Sequence, residues 1–288
     1  MTRVVVGIED LPHSDTPLEW AATAADQRGA VLRLVHALGH PTLAADILYD
    51  DGVVTEAHRL LDQAAAQAHE VAPEVEVEVV LDRRRPAEAL VDLSLDADLL
   101  VVGTHRLSAS ERVFSGSMAY QIAAGSAVPV VVVPGAAALD SVGVVVGVDG
   151  SRDSVAAVAL AAAEADRIGE PLYVVHAWTE PAIYAPADSV VTELTAATRD
   201  EEAVVLGESV AGLAEQYPDL VVHPQLVHEQ PATALLDAAA HARLLVVGSR
   251  GRHGLTRVLL GSVSHTVVLH AECPVMVART RHVPVAHR

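Results

Sequence analysis

The stretch from Leu244 to Ser264 reads LLVVGSRGRHGLTRVLLGSVS, and it decides how the chain can fold. Its apolar run, Leu244 to Val247, is typical of a strand buried on both faces. A glycine-rich loop follows, and from Gly261-Ser262 an apolar-periodic segment predicts a helix. A strand, a glycine loop and a helix N-terminus together favour anion binding, because glycine admits close backbone approach and free N–H groups attract negative charge.

The glycine spacing is specific: Gly248, two residues, Gly251, nine residues, then Gly261-Ser262. This pattern resembles the nucleotide-binding signature of the universal stress protein family, in its ATP-binding branch. It differs from a Walker A loop, because the chain contains no lysine and all its basic side chains other than histidine are arginines. The same absence excludes Schiff-base chemistry with pyridoxal phosphate.

Composition narrows the class of protein further. The 288 residues suffice for two ordinary domains, and the formal net charge of −19 argues against a general nucleic-acid binder. Cys273 is the single cysteine, so no internal disulfide can form and a reducing compartment is expected. The apolar runs are too short for a membrane span. We therefore expect a soluble, cytoplasmic protein without a membrane or nucleic-acid partner.

The chain is an internal repeat. Residues 4–37 align with residues 144–177 without a gap and with 14 identities, and residues 86–133 align with residues 231–278 with 18 identities. The offset grows from 140 to 145 residues between the blocks, so the second copy carries a net insertion of five residues. This pattern indicates a duplicated domain. We predict a first domain over residues 1–138 and a second over residues 139–288.

Strands that alternate with helices predict an α/β fold in which a parallel sheet carries helices on both faces. The resemblance implies more: two tandem Rossmann-like domains of the adenine nucleotide alpha hydrolase type, each a five-stranded sheet in the order 3-2-1-4-5. It also implies that the two domains pair through their last strands, Val128–Val133 and Cys273–Ala278.

Three boundaries follow from local signals. Thr16-Pro17 is predicted to cap and start the first helix, which runs to about Arg28. Gly116 to Ala124 is predicted as a helix that starts at the first-copy counterpart of Gly261-Ser262. An irregular stretch from Thr179 to Ser189 is predicted to precede one helix that runs to about Gln216.

Ligands of open parallel sheets lie at the carboxyl ends of the strands. In the second copy these ends are Val148 to Ser151, Val175, and the loop after Val247. By resemblance, Asp149 matches the family's acidic residue at the adenosine end, Val175 lies against the base, and the glycine-loop and helix-start residues line ribose and phosphates. The candidate residues of this copy are Val148, Asp149, Gly150, Ser151, Val175, Val247, Gly248, Arg250, Gly251, Arg252, Gly261, Ser262, Val263 and Ser264.

Chemistry supports a phosphate site at the glycine loop. The serine hydroxyls and the backbone amides of the helix start can donate to phosphate oxygens. Arg250 and Arg252 could add charge-assisted hydrogen bonds of about 1.5–3 kcal/mol each where desolvated. Taken singly, Asp149 could be only a helix cap and the loop only a turn. Their joint occurrence strengthens the prediction of an adenine nucleotide. The resemblance implies ATP, alone or with Mg²⁺, as the cofactor, and the sequence leaves other adenine nucleotides open.

The first copy departs from this pattern. Its corresponding residues are Glu9, Val35, Gly103, Gly116 and Ser117, but Arg106 stands where the second glycine belongs. If that position needs a positive φ, a non-glycine residue is strained by about 1–2 kcal/mol. Met118-Ala119 replaces Val263-Ser264 and removes one hydroxyl. This site is predicted to be weak or empty, with the alternative that Arg106 itself grips a phosphate.

No catalyst or metal site stands out. The 15 histidines show no His-Glu-x-x-His or paired Cys/His spacing, and no Gly-x-Ser-x-Gly elbow occurs. His36 and His176 occupy equivalent strand ends and are predicted to shape the pockets, while His223 and His228 are predicted to face solvent on an outer strand.

The resemblance implies a regulatory stress-response module whose state depends on ATP. The alternatives are a slow ATPase or nucleotidyl-transfer enzyme, and a structural dimerisation module without nucleotide. The sequence leaves open a homodimer and the identity of a protein partner.

Overall fold

The structure is a computed structural model that describes residues 1–39, 51–104, 112–135, 141–180, 188–251 and 260–279. The chain divides into two compact units, one of residues 1–137 together with the stretch from Arg279, and one of residues 138–278. The domain boundary between residues 138 and 139 stays a prediction.

The first unit alternates strands and helices. Its elements are β1 (Arg3–Gly7), α1 (Leu11–Asp26), β2 (Val31–Ala37), α2 (Asp51–Val71), β3 (Val77–Asp82), α3 (Pro86–Leu93), a 3₁₀ turn (Ser94–Asp96), β4 (Leu99–Thr104), α4 (Arg112–Gly125) and β5 (Val130–Pro134). The strands lie in the order β3-β2-β1-β4-β5, and the neighbouring strands in this order pair in parallel.

The second unit also alternates strands and helices. Its elements are β6 (Val144–Val148), α5 (Arg152–Ile168), β7 (Leu172–Trp178), α6 (Asp188–Val210), α7 (Leu213–Gln216), β8 (Val222–His228), α8 (Pro231–Ala238), β9 (Leu244–Gly248), α9 (Ser262–His270) and β10 (Val275–Ala278). Its strands lie in the order β8-β7-β6-β9-β10, and the neighbouring strands in this order pair in parallel.

The central strands are the apolar runs that the sequence marked. Val4, Val5 and Val6 of β1 are fully buried, and every residue of β9 is buried. The outer strands β3 and β8 are mostly half-buried or exposed, as their mixed apolar and polar composition predicts. The predicted α/β fold with two tandem Rossmann-like units is thus confirmed.

Glycines in the two first strands let a helix pack close to the sheet. A Cβ on Gly7 would lie 2.9 Å from Leu90 of α3, and a Cβ on Gly147 would lie 2.8 Å from Leu235 of α8. Both leucines are 4–5% exposed. The same glycine–leucine contact therefore seats the equivalent helix in each copy.

Two helix boundaries differ from their predictions. Helix α1 begins at Leu11 because the Asp10 carbonyl already accepts a hydrogen bond from Ser14 N (3.0 Å), so Pro17 lies inside the helix rather than at its start. The predicted single helix to Gln216 is interrupted at Gly212, whose φ of +80° is left-handed and separates α6 from α7.

Cys273 should react slowly in the folded protein. It is 4% exposed, and burial raises the pKa of its thiol to about 11, which favours the neutral, unreactive form. Alkylation near pH 8 should be at least about tenfold slower in the native than in the unfolded chain. The raised pKa also means that this thiol's contribution to stability is fully present below its unfolded pKa and is lost as pH rises toward about 11. Equal alkylation rates in native buffer and in denaturant would contradict this.

In the part of the chain that the structure describes, no helix is long and apolar enough to cross a membrane.

Candidate functional site

A pocket of about 650 Å³ opens at the carboxyl ends of β6, β7 and β9 in the second unit. Strand order reverses between β6 and β9, and open parallel sheets bind ligands at such a point. Most residues predicted for this copy come together here. The predicted residues that line the pocket are Val148, Asp149, Val175, Val247, Gly248, Arg250, Gly251, Gly261, Ser262, Val263 and Ser264.

Gly150 and Ser151 build the turn that orients Asp149, and they do not line the pocket. Gly150 has a φ of +75°, which a side chain would strain. Ser151 N donates to Asp149 Oδ1 (3.0 Å), while Ser151 Oγ accepts from Ser154 N (3.2 Å) and caps α5. The carboxylate of Asp149 is thereby fixed at the pocket rim.

Gly251 packs against that carboxylate. A Cβ on Gly251 would lie 2.7 Å from Asp149 Oδ2, closer than side-chain contacts allow. Gly251 is not among the described glycines with a positive φ. The strain predicted for Arg106 depended on a positive φ at this position, so the backbone of the second copy gives no reason to expect that strain. Close approach, rather than left-handed backbone, is what requires glycine here. Arg252, Arg106 and the rest of residues 105–111 lie outside the described residues.

A buried network shapes the start of the glycine loop. Ser249 is 1% exposed and its hydroxyl donates to Asp153 Oδ2 (2.7 Å), which also accepts from Arg250 Nε (3.3 Å). Gly261 N donates to the Ser249 carbonyl (2.8 Å) and so ties the far end of the loop to its beginning. Arg250, predicted to contact phosphate, is thus held by α5 while it lines the pocket.

Helix α9 presents its N-terminus to the pocket. Its N-cap residue, Gly261, supplies no side-chain cap, so the first-turn amides remain to be satisfied by water or an anion. The Ser264 hydroxyl, predicted to donate to phosphate, instead donates to the Gly248 carbonyl (2.6 Å) and is buried. Ser264 therefore clamps the helix start onto the end of β9, and the donors at this helix start that line the pocket are the Ser262 hydroxyl and the backbone amides.

The opposite end of the pocket is largely apolar, with one pair of ionisable side chains formed by a buried histidine and a partly exposed glutamate. Val175 is 1% exposed, and the neighbouring His176 is 3% exposed. His176 Nδ1 lies 2.7 Å from the Val148 carbonyl oxygen, and its Nε2 lies 2.5 Å from Glu202 Oε2 on α6. Trp178 also lines the pocket and stacks on His228 at a centroid distance of 4.3 Å. The prediction that His176 shapes the pocket is met, and His228 is exposed as predicted although its ring stacks.

The equivalent pocket of the first unit is smaller, at about 360 Å³. Glu9, Val35 and Gly103 line it, and His36 Nδ1 lies 2.8 Å from the Ile8 carbonyl oxygen, as in the second copy. Met118 and Ala119 replace the valine and the clamping serine. Since alanine has no hydroxyl, the tie between helix start and strand end seen at Ser264 cannot form at this position.

The helix after β4 corrects a prediction for the first copy. Helix α4 begins at Arg112, so Gly116 and Ser117 are its fifth and sixth residues rather than its start. Their amides lie beyond the first turn whose N–H groups a helix leaves free. Gly116 and Ser117 therefore do not lie at a helix start, as Gly261 and Ser262 do in the second copy.

Sequence analysis missed two residues that line the pocket, Trp178 and Glu202, and two that hold the start of the glycine loop, Asp153 and Ser249. Asp153 falls four residues after Asp149, in the first turn of α5, which is a signal that spacing could have supplied. Glu202 gave no signal, because it lies in the part of the repeat where the inserted residues break the alignment. Among the described residues, no group of three or more His, Cys, Asp or Glu side chains is placed to hold a metal ion.

Known proteins match the chain over both of its units. A model of the universal stress protein family matches residues 1–134 and again residues 143–279. A universal stress protein of Mycolicibacterium smegmatis is 33% identical over 293 residues, which cover 96% of this chain and 97% of that protein. A universal stress protein of Mycobacterium tuberculosis strain H37Rv is 34% identical over 296 residues, which cover 96% of each chain.

A solved structure shares the architecture. The crystal structure of a universal stress protein from Archaeoglobus fulgidus matches with a TM-score of 0.71 and covers 97% of this chain and 96% of that one. The two sequences are 19% identical, so this likeness concerns the fold alone.

Proposed function

The chain belongs to the universal stress protein family, and on that premise we propose that its second domain binds an adenine nucleotide, ATP foremost, and acts as a stress-response regulator whose state depends on occupancy. One observation carries the proposal: the uncapped N-terminus of α9 and the close contact of Gly251 with Asp149 face the same pocket. The first offers amides to phosphates, and the second places a carboxylate at the rim.

The two ends of the pocket suit the two ends of a nucleotide. Val148, Val175 and Val247 are at most 6% exposed and form an apolar wall for a planar base. Asp149 can accept a hydrogen bond from an amine or a ribose hydroxyl. The backbone from Gly248 to Gly251 and the start of α9 would hold the phosphates. A volume of about 650 Å³ lies in the usual range of small-molecule pockets.

Regulation is favoured over catalysis by the contacts of Asp153, the carboxylate that holds the start of the glycine loop. Asp153 accepts hydrogen bonds from both Ser249 and Arg250, so it holds the loop in place and is not aimed at a water or a substrate hydroxyl. The proposal therefore assigns no general base. Steady conversion of ATP to ADP or AMP by the pure protein at about 1 per second or faster would overturn this part of it.

The nucleotide released from freshly purified, denatured protein tests the proposal directly. We expect one adenine nucleotide per chain, held by the second domain, because in the first domain α4 starts too early to offer its N-terminus at Gly116. Two per chain would show that the first pocket also binds. No released nucleotide, together with an unchanged Tm in saturating ATP–Mg²⁺, would leave only the structural module, since a ligand of the native state must stabilise it.

A further inference from the structure

The histidine of the first-unit pocket differs from its counterpart in the second unit. His36 lines the first-unit pocket, and its Nδ1 lies 2.8 Å from the Ile8 carbonyl oxygen. Because a carbonyl oxygen only accepts, Nδ1 carries the hydrogen, and Nε2 of the neutral ring is an acceptor. In the described parts of the chain, no group makes a hydrogen bond to this nitrogen. In the second unit, the same nitrogen of His176 meets Glu202 Oε2 at 2.5 Å.

A buried hydroxyl adds a donor to the same pocket. Ser14 also lines the pocket and is 4% exposed. Its Oγ accepts from Glu9 N (3.1 Å), and a hydroxyl that accepts still has its own hydrogen to donate. In the second unit, the equivalent Ser154 donates that hydrogen to the Ser151 carbonyl oxygen (2.8 Å), whereas no described residue accepts it in the first. The first-unit pocket therefore keeps an acceptor and a donor that the second unit uses internally.

The walls around these two polar groups are apolar. Six lining residues of this kind are at most 5% exposed: Ile8, Val35, Leu90, Val102, Ala119 and Ile122. Leu38 and Met118 also line the pocket. A volume of about 360 Å³ lies near the lower end of the range of ligand pockets. Such a cavity suits a small molecule with a largely apolar body.

The charges at this pocket disfavour an anion. Glu9 is the one carboxylate in the described lining, which contains no arginine, whereas Arg250 lines the second-unit pocket. Arg84, whose carbonyl oxygen accepts from Gly39 N of the lining (3.1 Å), directs its guanidinium group to Asp82 (2.7 Å). A phosphate or carboxylate in the first-unit pocket would therefore face Glu9 without a cation of the described lining to compensate it.

We propose that the first-unit pocket is a separate binding site for a small uncharged molecule that has a largely apolar body and one hydrogen-bond donor, which His36 Nε2 accepts. The two copies of the domain then differ in the class of ligand that they bind. Nucleotide binding by the second unit is neither required nor excluded by this site.

Three indoles test the ligand class. Indole is uncharged and has one N–H donor, 1-methylindole lacks that donor, and indole-3-carboxylate carries a negative charge. Saturation-transfer NMR titrations of the full chain give the three Kd values, with ATP–Mg²⁺ present to occupy the second-unit pocket. We expect a Kd of about 1 mM or tighter for indole. Indole-3-carboxylate should bind at least about tenfold more weakly, because its charge meets Glu9 in a pocket with apolar walls.

His36→Phe tests the acceptor, because it keeps a planar ring and removes Nε2. His58→Phe is the matched control, since it makes the same change at an exposed position of α2. The ratio of the 1-methylindole Kd to the indole Kd should be about twofold to about 13-fold smaller in His36→Phe, as expected for one neutral hydrogen bond. Comparing ratios cancels effects of the substitution that both ligands share.

Met118→Trp tests the location without altering His36. It enlarges a half-buried side chain of the lining, so indole binding should be lost. Indole binding at wild-type strength in this variant would place the indole outside the pocket, whether or not His36→Phe folds.

Each remaining outcome is decisive. No binding of indole up to about 10 mM would overturn the site. Equal Kd ratios in His36→Phe and His58→Phe would overturn the role of Nε2, and indole-3-carboxylate bound as tightly as indole would overturn the uncharged class. A chain that binds indole as expected but no ATP would overturn the proposed function alone.

Discussion

ATP should bind the Gly251→Ala variant about tenfold to about 150-fold more weakly than the wild-type chain. The added methyl group would lie 2.7 Å from Asp149 Oδ2, so either the carboxylate or the glycine loop must move. Asp149 cannot turn freely, because its other oxygen accepts from Ser151 N at the start of α5. Loss of one hydrogen bond to a charged group, at about 1.5–3 kcal/mol, gives the stated range.

Calorimetric titration of ATP–Mg²⁺ into both proteins would measure this effect. Gly207→Ala supplies the control, because a Cβ at this exposed position of α6 meets nothing within 4 Å. It makes the same chemical change away from the pocket and should stabilise the helix by about 0.5–1 kcal/mol. If Gly251→Ala bound ATP as tightly as Gly207→Ala does, the contact between Gly251 and Asp149 would have no role in binding.

The elements that the sequence predicted well are those with strong local signals. The Val-rich runs of β1, β4, β6 and β9 are buried strands because a strand covered on both faces needs apolar residues throughout. Because the chain is a repeat, the order of elements predicted for one copy also applied to the other, and the spacing of the glycines located the pocket. Each of these signals can be read from the order of residues along the chain alone.

What the sequence could not give depends on residues far apart in the chain. Glu202 meets His176 across 26 positions, through the packing of α6 on β7. Ser264 reaches back 16 positions to donate its hydroxyl to the Gly248 carbonyl, a contact that its place at the helix start does not predict. The start of α4 at Arg112 also escaped, because the pattern of the second copy placed it at Gly116.

The two copies show which changes a duplicated fold tolerates. At one cross-strand position the first copy pairs Arg33 with Glu78, joined by an ion pair of 2.7 Å. At the same register the second copy stacks Tyr173 on His223 at 5.0 Å. An ion pair and an aromatic stack both hold two neighbouring strands. Such exchanges preserve the sheet, whereas Ala119 in place of Ser264 lacks the hydroxyl that ties the helix start to the strand end in the second copy.

Gly248→Ala should impair both the fold and the site of the second domain, because the contact that it disturbs is backbone against backbone. A Cβ on Gly248 would lie 3.0–3.1 Å from the main chain and Cβ of Asp153 at the start of α5. A flexible side chain could turn away, but the first turn of a helix cannot. Overpacking of this kind costs about 1–3 kcal/mol of the free energy of unfolding.

Displacement of the start of α5 would also weaken nucleotide binding. Asp153 holds Ser249 and Arg250 through its carboxylate, so a helix start pushed away from β9 releases the loop that faces the ligand. Chemical denaturation and ATP titration of the same samples would measure both effects, with Gly207→Ala again as the control. We expect lower stability and weaker binding together. Lower stability with wild-type affinity would mean that α5 and β9 adjust to the added methyl group away from the loop. It would also mean that the Asp153 network does not position the phosphate end of the pocket.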